Sequence, residues 1–202
     1  MSKKLNKNRI RDTKIIIAVM FLVILFSRQM IGHNELVVHE LLEFTGYFLV
    51  SFCAMGRLYC TAFLGGQKNQ NVIDYGPFSV CRNPLYAFSL IGILGITLIS
   101  NHLIVMAVVP FAMLIVYHYL IKREEVYLEE KFGKEYVKYK NSVPRLFPKF
   151  SLYKAPQKVD MYPKTLLRAF GDAAMWFLAF PLIESIEYVQ EAGYLKPLFM
   201  LP

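Results

Sequence analysis

Residues 85–121 read LYAFSLIGILGITLISNHLIVMAVVPFAMLIVYHYLI. The stretch divides at Ser100-Asn101 into two apolar runs, one beginning near Leu85 and the other running from about Leu103 to Ile121. Each is roughly long enough to cross a bilayer as a helix, so the pair reads as a transmembrane hairpin. A polar motif stands at each end. Before the hairpin comes Tyr75-Gly76-Pro77-Phe78-Ser79-Val80-Cys81-Arg82-Asn83-Pro84-Leu85-Tyr86. After it come Arg123-Glu124-Glu125-Val126-Tyr127-Leu128, then Phe132-Gly133-Lys134-Glu135-Tyr136-Val137-Lys138-Tyr139, and finally Val143-Pro144-Arg145-Leu146-Phe147-Pro148. A hairpin returns the chain to the face it left, so both motifs emerge on one side of the membrane and can build one site.

Composition agrees with a membrane protein. Of the 202 residues, 55% are hydrophobic and 15% aromatic, more than a soluble domain of this size normally carries. The apolar residues lie in blocks instead of recurring at helix or strand period across a polar background. The net charge of +8 raises the question of nucleic acid, but the basic residues flank apolar runs. That placement fits cytoplasmic flanks of membrane helices, and no nucleic-acid partner is expected. Cys53, Cys60 and Cys81 read as buried thiols. The histidines His33, His39, His102 and His118 are scattered, and no metal site is expected.

Five spans follow along the chain. Lys3, Lys4, Lys7, Arg9, Arg11 and Lys14 precede the run from Ile15 to Phe26. Ser27-Arg28-Gln29-Met30 offers no small-residue cleavage site, so this run reads as an uncleaved first helix with Arg28 snorkelling at its far end. The second span covers about 41–64, the third and fourth form the hairpin, and the fifth runs from about 166 to 186. The fifth is the weakest, holding Asp172, Pro181 and Glu184. Lys and Arg crowd into residues 1–14 and about 122–165, whereas Ile31 to Glu40 and Ser100 to His102 contain neither. The charge bias gives an N-in, C-out topology. With four spans the tail from Thr165 would lie on the cytoplasmic surface instead. The expected fold is thus an all-α, polytopic integral membrane protein of about five transmembrane helices, with a cytoplasmic cofactor-binding segment after the fourth. Its divisions are 1–64 (two helices), 65–150 (the hairpin core and cytoplasmic segment) and 151–202 (a linker around Ala155-Pro156-Gln157-Lys158 and the last helix). The polar turn from Gly65 to Asn71 leads into the first motif.

The motifs carry recognisable chemistry. Pro84 suits the first turn of a helix, whose N-terminus favours a carboxylate or phosphate. Arg82 adds a bidentate cation, Asn83 a hydrogen-bonding edge, and Tyr86 a pocket wall one turn on. The same residues also read as an interfacial anchor, since Arg and Tyr gather at membrane boundaries. Glu124 and Glu125 follow directly on the fourth span, where a carboxylate needs a partner: a ligand ammonium group, Arg82 or Arg123. Gly133 reads as a left-handed cap with Phe132 packing beneath, and Tyr136 and Tyr139 as one face of a short helix. Pro144 and Pro148 hold Arg145 in an extended segment. The charged residues around them also read as a solvated helix.

Taken in order, these elements resemble the isoprenylcysteine carboxyl methyltransferase and phospholipid methyltransferase family. That family shares G-[PI]-[YF]-x-x-x-R-[HN]-P-x-Y, a helical hairpin, E-E-x-x-L, F-G-x-x-Y-x-x-Y and an R-x-x-P-like end. Here they are Gly76 to Tyr86, Glu124-Glu125 with Leu128, Phe132 to Tyr139, and Arg145 with Pro148. The resemblance spans about 71–150. It implies a membrane-embedded methyltransferase with S-adenosylmethionine held at the cytoplasmic face. It places Gly76, Val80, Arg82, Asn83, Pro84 and Tyr86 along the cofactor pocket and Glu124 or Glu125 at the cofactor's amino group. Glu124, Tyr136 and Arg145 become the catalytic candidates, with Arg145 near the acceptor. Asn83 stands where His is more usual, which removes acid–base work from that position. The fifth span departs from relatives that end soon after the R-x-x-P-like segment.

In-line methyl transfer depends mainly on alignment, and a low-dielectric pocket favours loss of the sulfonium charge. The expected acceptor is lipid-like or small: an isoprenylcysteine carboxylate, a phospholipid amine or a thiol. Abundant Lys, Asn and Ile suggest an AT-rich genome and a bacterial inner membrane. Two alternatives are an NADPH-dependent membrane reductase related to sterol reductases and a non-enzymatic membrane assembly protein in which Arg82 and Glu124 form a structural ion pair.

Overall fold

The computed structural model describes residues 18–29, 36–64, 70–159, 161–195 and 199–201. The basic stretch from Lys3 to Lys14, the start of the first expected span and most of the Gly65 turn lie outside the described residues. Among those described, residues 18–26 form helix α1, followed by the short strand β1 (Ser27–Gln29). The helices α2 (Leu36–Leu64), α3 (Pro77–Val80), α4 (Pro84–Ile99), α5 (Leu103–Phe132) and α6 (Lys134–Ser142) come next. A 3₁₀ turn (Phe150–Leu152) leads to α7 (Pro163–Phe177), α8 (Ala179–Glu191) and the strand β2 (Phe199–Leu201). The two strands pair in parallel, with Ser27 opposite Phe199. Among the described residues the remaining regular structure is helical.

Among the described residues, three helical stretches are long and apolar enough to cross a membrane: Val37–Leu64, Leu103–Phe132 and Pro163–Gln190, of 28, 30 and 28 residues. The helix Pro84–Ile99 is apolar but has 16 residues. At about 1.5 Å per residue it reaches about 24 Å, short of a hydrocarbon core of about 30 Å. Helix α2 begins about a turn earlier than the apolar run at Leu41, taking His39, Glu40 and Glu43 into the helix. The stretch from Pro163 is interrupted at Leu178. Pro181 explains the interruption, because it has no N–H to give the carbonyl of Phe177, four residues back.

The chain packs as two units. One takes in the described residues up to Ser51, together with Leu90–Tyr117 and those from Trp176 onward. Its core gathers Val50, Ile99 and Ile183, flanked by Ile96, Trp176, Phe177 and Phe180. The backbones of α2 and α4 approach closely there. A Cβ added to Gly95 would stand 2.6 Å from the carbonyl oxygen of Gly46. Small residues permit such contacts between membrane helices.

The other unit comprises Phe52–Ser89 and His118–Met175. One cluster centres on Cys60, Ile73 and Phe78, with Phe63, Tyr75, Leu85 and Phe88 against it. A second joins Tyr136, Tyr139 and Val143 with Val72, Leu128 and Phe132. Both motifs belong to this unit.

Candidate functional site

The first motif is laced to the segment that follows α6. Gly76 holds φ 58°, a left-handed conformation natural to glycine, and its N–H donates to the Lys154 carbonyl at 2.8 Å. The Ser79 hydroxyl donates to the Gly76 carbonyl at 2.7 Å and accepts from the Lys154 N–H at 3.0 Å. The Val80 carbonyl accepts the Lys149 N–H at 2.9 Å, and the Arg82 N–H donates to the Pro144 carbonyl at 2.9 Å. The Asn83 side chain donates to the Arg145 carbonyl at 3.1 Å. Tyr139, on α6, donates to the Phe78 carbonyl at 2.7 Å. Each bond satisfies a backbone group that no helix serves. Together they fix the turn before α4 against residues 144–154.

Cys81 is buried, and its thiol donates to the Leu146 carbonyl at 3.2 Å. Burial pushes that thiol up to about 11, leaving it protonated at neutral pH and unsuited to nucleophilic work. Cys53, Cys60 and Cys81 are all buried thiols outside any disulfide, as the sequence suggests.

The two adjacent carboxylates of α5 take different partners. Glu125 is 3% exposed and sits between two guanidinium groups. Arg145 reaches it twice, Nε to Oε1 at 3.2 Å and Nη2 to Oε2 at 2.7 Å. Arg82 Nη2 reaches Oε1 at 3.0 Å, while Arg82 Nη1 donates to the Lys140 carbonyl. Arg82 Nε is buried and has no hydrogen-bond partner among the described residues. Glu124 instead accepts a hydrogen bond from the Tyr86 hydroxyl at 3.0 Å.

Beside these groups lies a cavity lined by both motifs. Arg82, Asn83, Pro84, Tyr86, Glu124 and Tyr136 contribute to its wall, and with them Leu64, Asn71, Val72, Ile73, Phe78, Leu85, Leu128, Phe132 and Tyr139. Gly76, Val80, Glu125 and Arg145 are not part of the wall. Gly76 and Val80 shape the turn, and Glu125 and Arg145 hold Arg82 from behind. Phe78, Leu128, Phe132 and Tyr139 were missing from the candidate residues, although a signal existed. Glu124, Leu128 and Phe132 are spaced four apart and so share one face of α5. The Tyr136 phenol is pushed well above its ordinary value, by burial first and by the charge of Glu125 second. It stays neutral and can donate a hydrogen bond. Gly133 joins α5 directly to α6. Its φ of 55° is positive as expected, but its ψ of −127° lies outside the left-handed helical basin, because the next helix starts at Lys134.

The comparisons with known proteins bear on this arrangement. A family model described as phospholipid methyltransferase matches residues 28–135, more than half of the chain. The chain belongs to this family. It is also 31% identical over 201 residues to the cobalt-zinc-cadmium resistance protein CzcN of Cupriavidus metallidurans, covering 98% of this chain and 90% of that protein. A second relative is the nickel-cobalt-cadmium resistance protein NccN of Alcaligenes xylosoxydans xylosoxydans, 25% identical over 202 residues, with 98% and 92% covered. No solved structure matches.

Proposed function

We propose that this chain is an integral membrane methyltransferase that uses S-adenosylmethionine. One observation carries the reading: the cavity is lined by Glu124 and by Arg82, whose buried Nε–H has no partner among the described residues. A cation and an anion on one wall suit the zwitterionic end of an amino-acid-like cofactor. Arg82 would hold the carboxylate and Glu124 the ammonium group. Asn83 adds an amide edge, while Phe78, Leu128, Phe132 and Tyr136 offer apolar and aromatic surface for a base. When bound, the cofactor supplies an electrophilic methyl group on a sulfonium.

The chain's own residues supply placement. Arg145 and Glu125 orient Arg82, so they are positioning residues. Arg145, its side chain about one-third exposed, would also serve as the cation near the acceptor. A carboxylate acceptor needs only such an orienting cation. An amine or thiol must lose a proton, and Glu124 is better suited than Tyr136 to assist, since the phenol stays protonated. The apolar walls exclude water and favour the loss of charge on transfer. The acceptor in this reading is lipid-like or small, entering from the bilayer.

The topology belongs to the same proposal: five crossings, N-terminus and motifs cytoplasmic, in a bacterial inner membrane, with residues 65–150 as the transfer core. The short α4 would be one crossing. The two relatives, named as resistance proteins for cobalt, zinc, nickel and cadmium, set the transfer in the context of tolerance to such metals.

Thermal unfolding of the detergent-purified protein with S-adenosylhomocysteine, NADPH or neither tests the reading. At about 100 times its dissociation constant, a ligand adds about 2.7 kcal/mol of stability. Stabilisation by S-adenosylhomocysteine alone supports a methyltransferase. A response to NADPH alone would move the chain to the reductases, and a response to neither would favour a non-enzymatic role.

A further inference from the structure

A second constellation lies in the unit containing the start of α2. The histidines are scattered in the sequence, yet His39 and Glu43 are four apart on one helix. His39 Nδ1 lies 3.2 Å from Glu43 Oε1. Helix α8 brings Glu187 to them, so that one donor atom from each residue falls within 4.8 Å of the others. Donors about 2.1 Å from a tetrahedral ion stand about 3.4 Å apart, so side-chain movements of about an ångström would close the set.

The neighbouring Asn101 points to the same conclusion. It is 0% exposed, at the turn between α4 and α5, with φ 50°. Its Nδ2 lies 3.4 Å from Glu43 Oε1, while its buried Oδ1 has no hydrogen-bond partner among the described residues. A buried amide oxygen left unsatisfied is costly. Nδ2 also donates to the Ile99 carbonyl at 3.3 Å; turning the amide end for end would exchange that bond for presenting the oxygen to whatever Glu43 holds. Only a cation, or a donor, has use for a carboxylate and an amide oxygen together.

Charge argues for the cation. Glu40 and Glu184 lie near enough to Glu43 to act on it electrostatically, with His39 opposing them. Carboxylates collected beside an apolar helix call for a positive partner. His39 and Glu43 are also 18% and 19% exposed, enclosed yet reachable from solvent.

We propose that His39, Glu43 and Glu187, with Asn101 as a fourth donor, bind one divalent transition-metal ion. An imidazole with two carboxylates suits borderline ions such as Zn²⁺, Co²⁺ and Ni²⁺ better than Mg²⁺ or Ca²⁺, which prefer all-oxygen sets. In the five-span topology, His39, Asn101 and Glu187 all belong to segments on the non-cytoplasmic face. The metal site stands apart from the methyl-transfer reading and does not depend on it.

The test is a Co²⁺ titration of the full chain in detergent, with any affinity tag removed, followed by visible d–d absorption. The expected result is one Co²⁺ per chain, with affinity reduced at least tenfold in His39→Gln and in Glu187→Gln and unchanged in His118→Gln. Unfolding temperatures of the metal-free variants verify that each folds, and either variant alone suffices for the comparison. Absence of stoichiometric Co²⁺ bands, or wild-type affinity in a folded variant, would overturn the site. The S-adenosylhomocysteine response of the same preparations is read separately, so failure of one reading is not mistaken for failure of the other.

Discussion

Arg145 grips Glu125 with two N–H groups, Nε at 3.2 Å and Nη2 at 2.7 Å, and the same carboxylate meets Arg82 Nη2 at 3.0 Å. The pairing turns Glu125 into the keystone of the turn before α4. Removing it leaves Arg82, whose side chain is 9% exposed, with its charge uncompensated. Breaking a buried pair by deleting one partner costs about 3–5 kcal/mol. Because Arg145 can reach solvent, Glu125→Ala should lie near the lower end, about 3 kcal/mol, measured by denaturant unfolding in detergent. A loss well under 1 kcal/mol would mean that the triad does not hold the turn.

Glu124 should behave in the opposite way. Its bond from Tyr86 survives in Glu124→Gln, because the amide oxygen still accepts. Stability should therefore change by less than about 1 kcal/mol. The carboxylate facing the cavity is gone, so S-adenosylhomocysteine affinity should fall at least tenfold, or about 1.4 kcal/mol. Calorimetric titration of the variant checks this, and unchanged affinity would remove Glu124 from the cofactor site.

The contrast between these neighbours marks where sequence reading stops. The motif order, the hairpin and the return of α5 through Arg123 to Lys131 were legible, because apolar blocks and charge boundaries are local properties. Which of two consecutive glutamates faces a cavity is not. They point about 100° apart on the helix, and the helix's rotation is set by packing around Leu128, Phe132 and Tyr136. For the same reason the sequence leaves Arg82 open to either glutamate, and to Glu124 in the non-enzymatic alternative, whereas the structure pairs it with Glu125. The bonds from Gly76, Ser79 and Cys81 to residues 144–154 involve backbone groups, which leave no trace in side-chain pattern. The break at Leu178 had a visible cause in Pro181, but the helix resumes at once.

Two glycines give a stability contrast. Gly95 sits against the Gly46 carbonyl, where an added Cβ would stand 2.6 Å from oxygen. Gly95→Ala must push α2 and α4 apart, and overpacking of this kind costs about 1–3 kcal/mol. Gly171, within α7, has nothing within 4 Å of an added Cβ. Gly171→Ala should instead stabilise by about 0.4–1 kcal/mol through the unfolded chain and helix propensity. Unfolding midpoints shifted in opposite directions are the expected outcome, and equal losses would argue against the close α2–α4 approach.

Cys81 gives the site a pH signature. Its thiol is raised from 9.0 to about 11, mainly by burial, against smaller opposing effects from a backbone hydrogen bond at Asn83 and the charge of Arg82. The unfolded chain loses this proton near 9 and the folded chain near 11, so between those values the unfolded state binds fewer protons and stability falls as pH rises. Below pH 9 the contribution is fully present and constant. The full change is on the order of 3 kcal/mol, at about 1.4 kcal/mol per unit. Cys81→Ala lacks the group but shares every other titrating residue, including the raised phenols of Tyr136 and Tyr139. The stability difference between wild type and Cys81→Ala should therefore stay level up to about pH 8.5 and narrow toward pH 11. Denaturant midpoints of both proteins across that range measure it. A gap that stays constant would mean that water reaches the thiol, and that the strap from Pro144 to Lys154 does not seal the turn carrying Arg82.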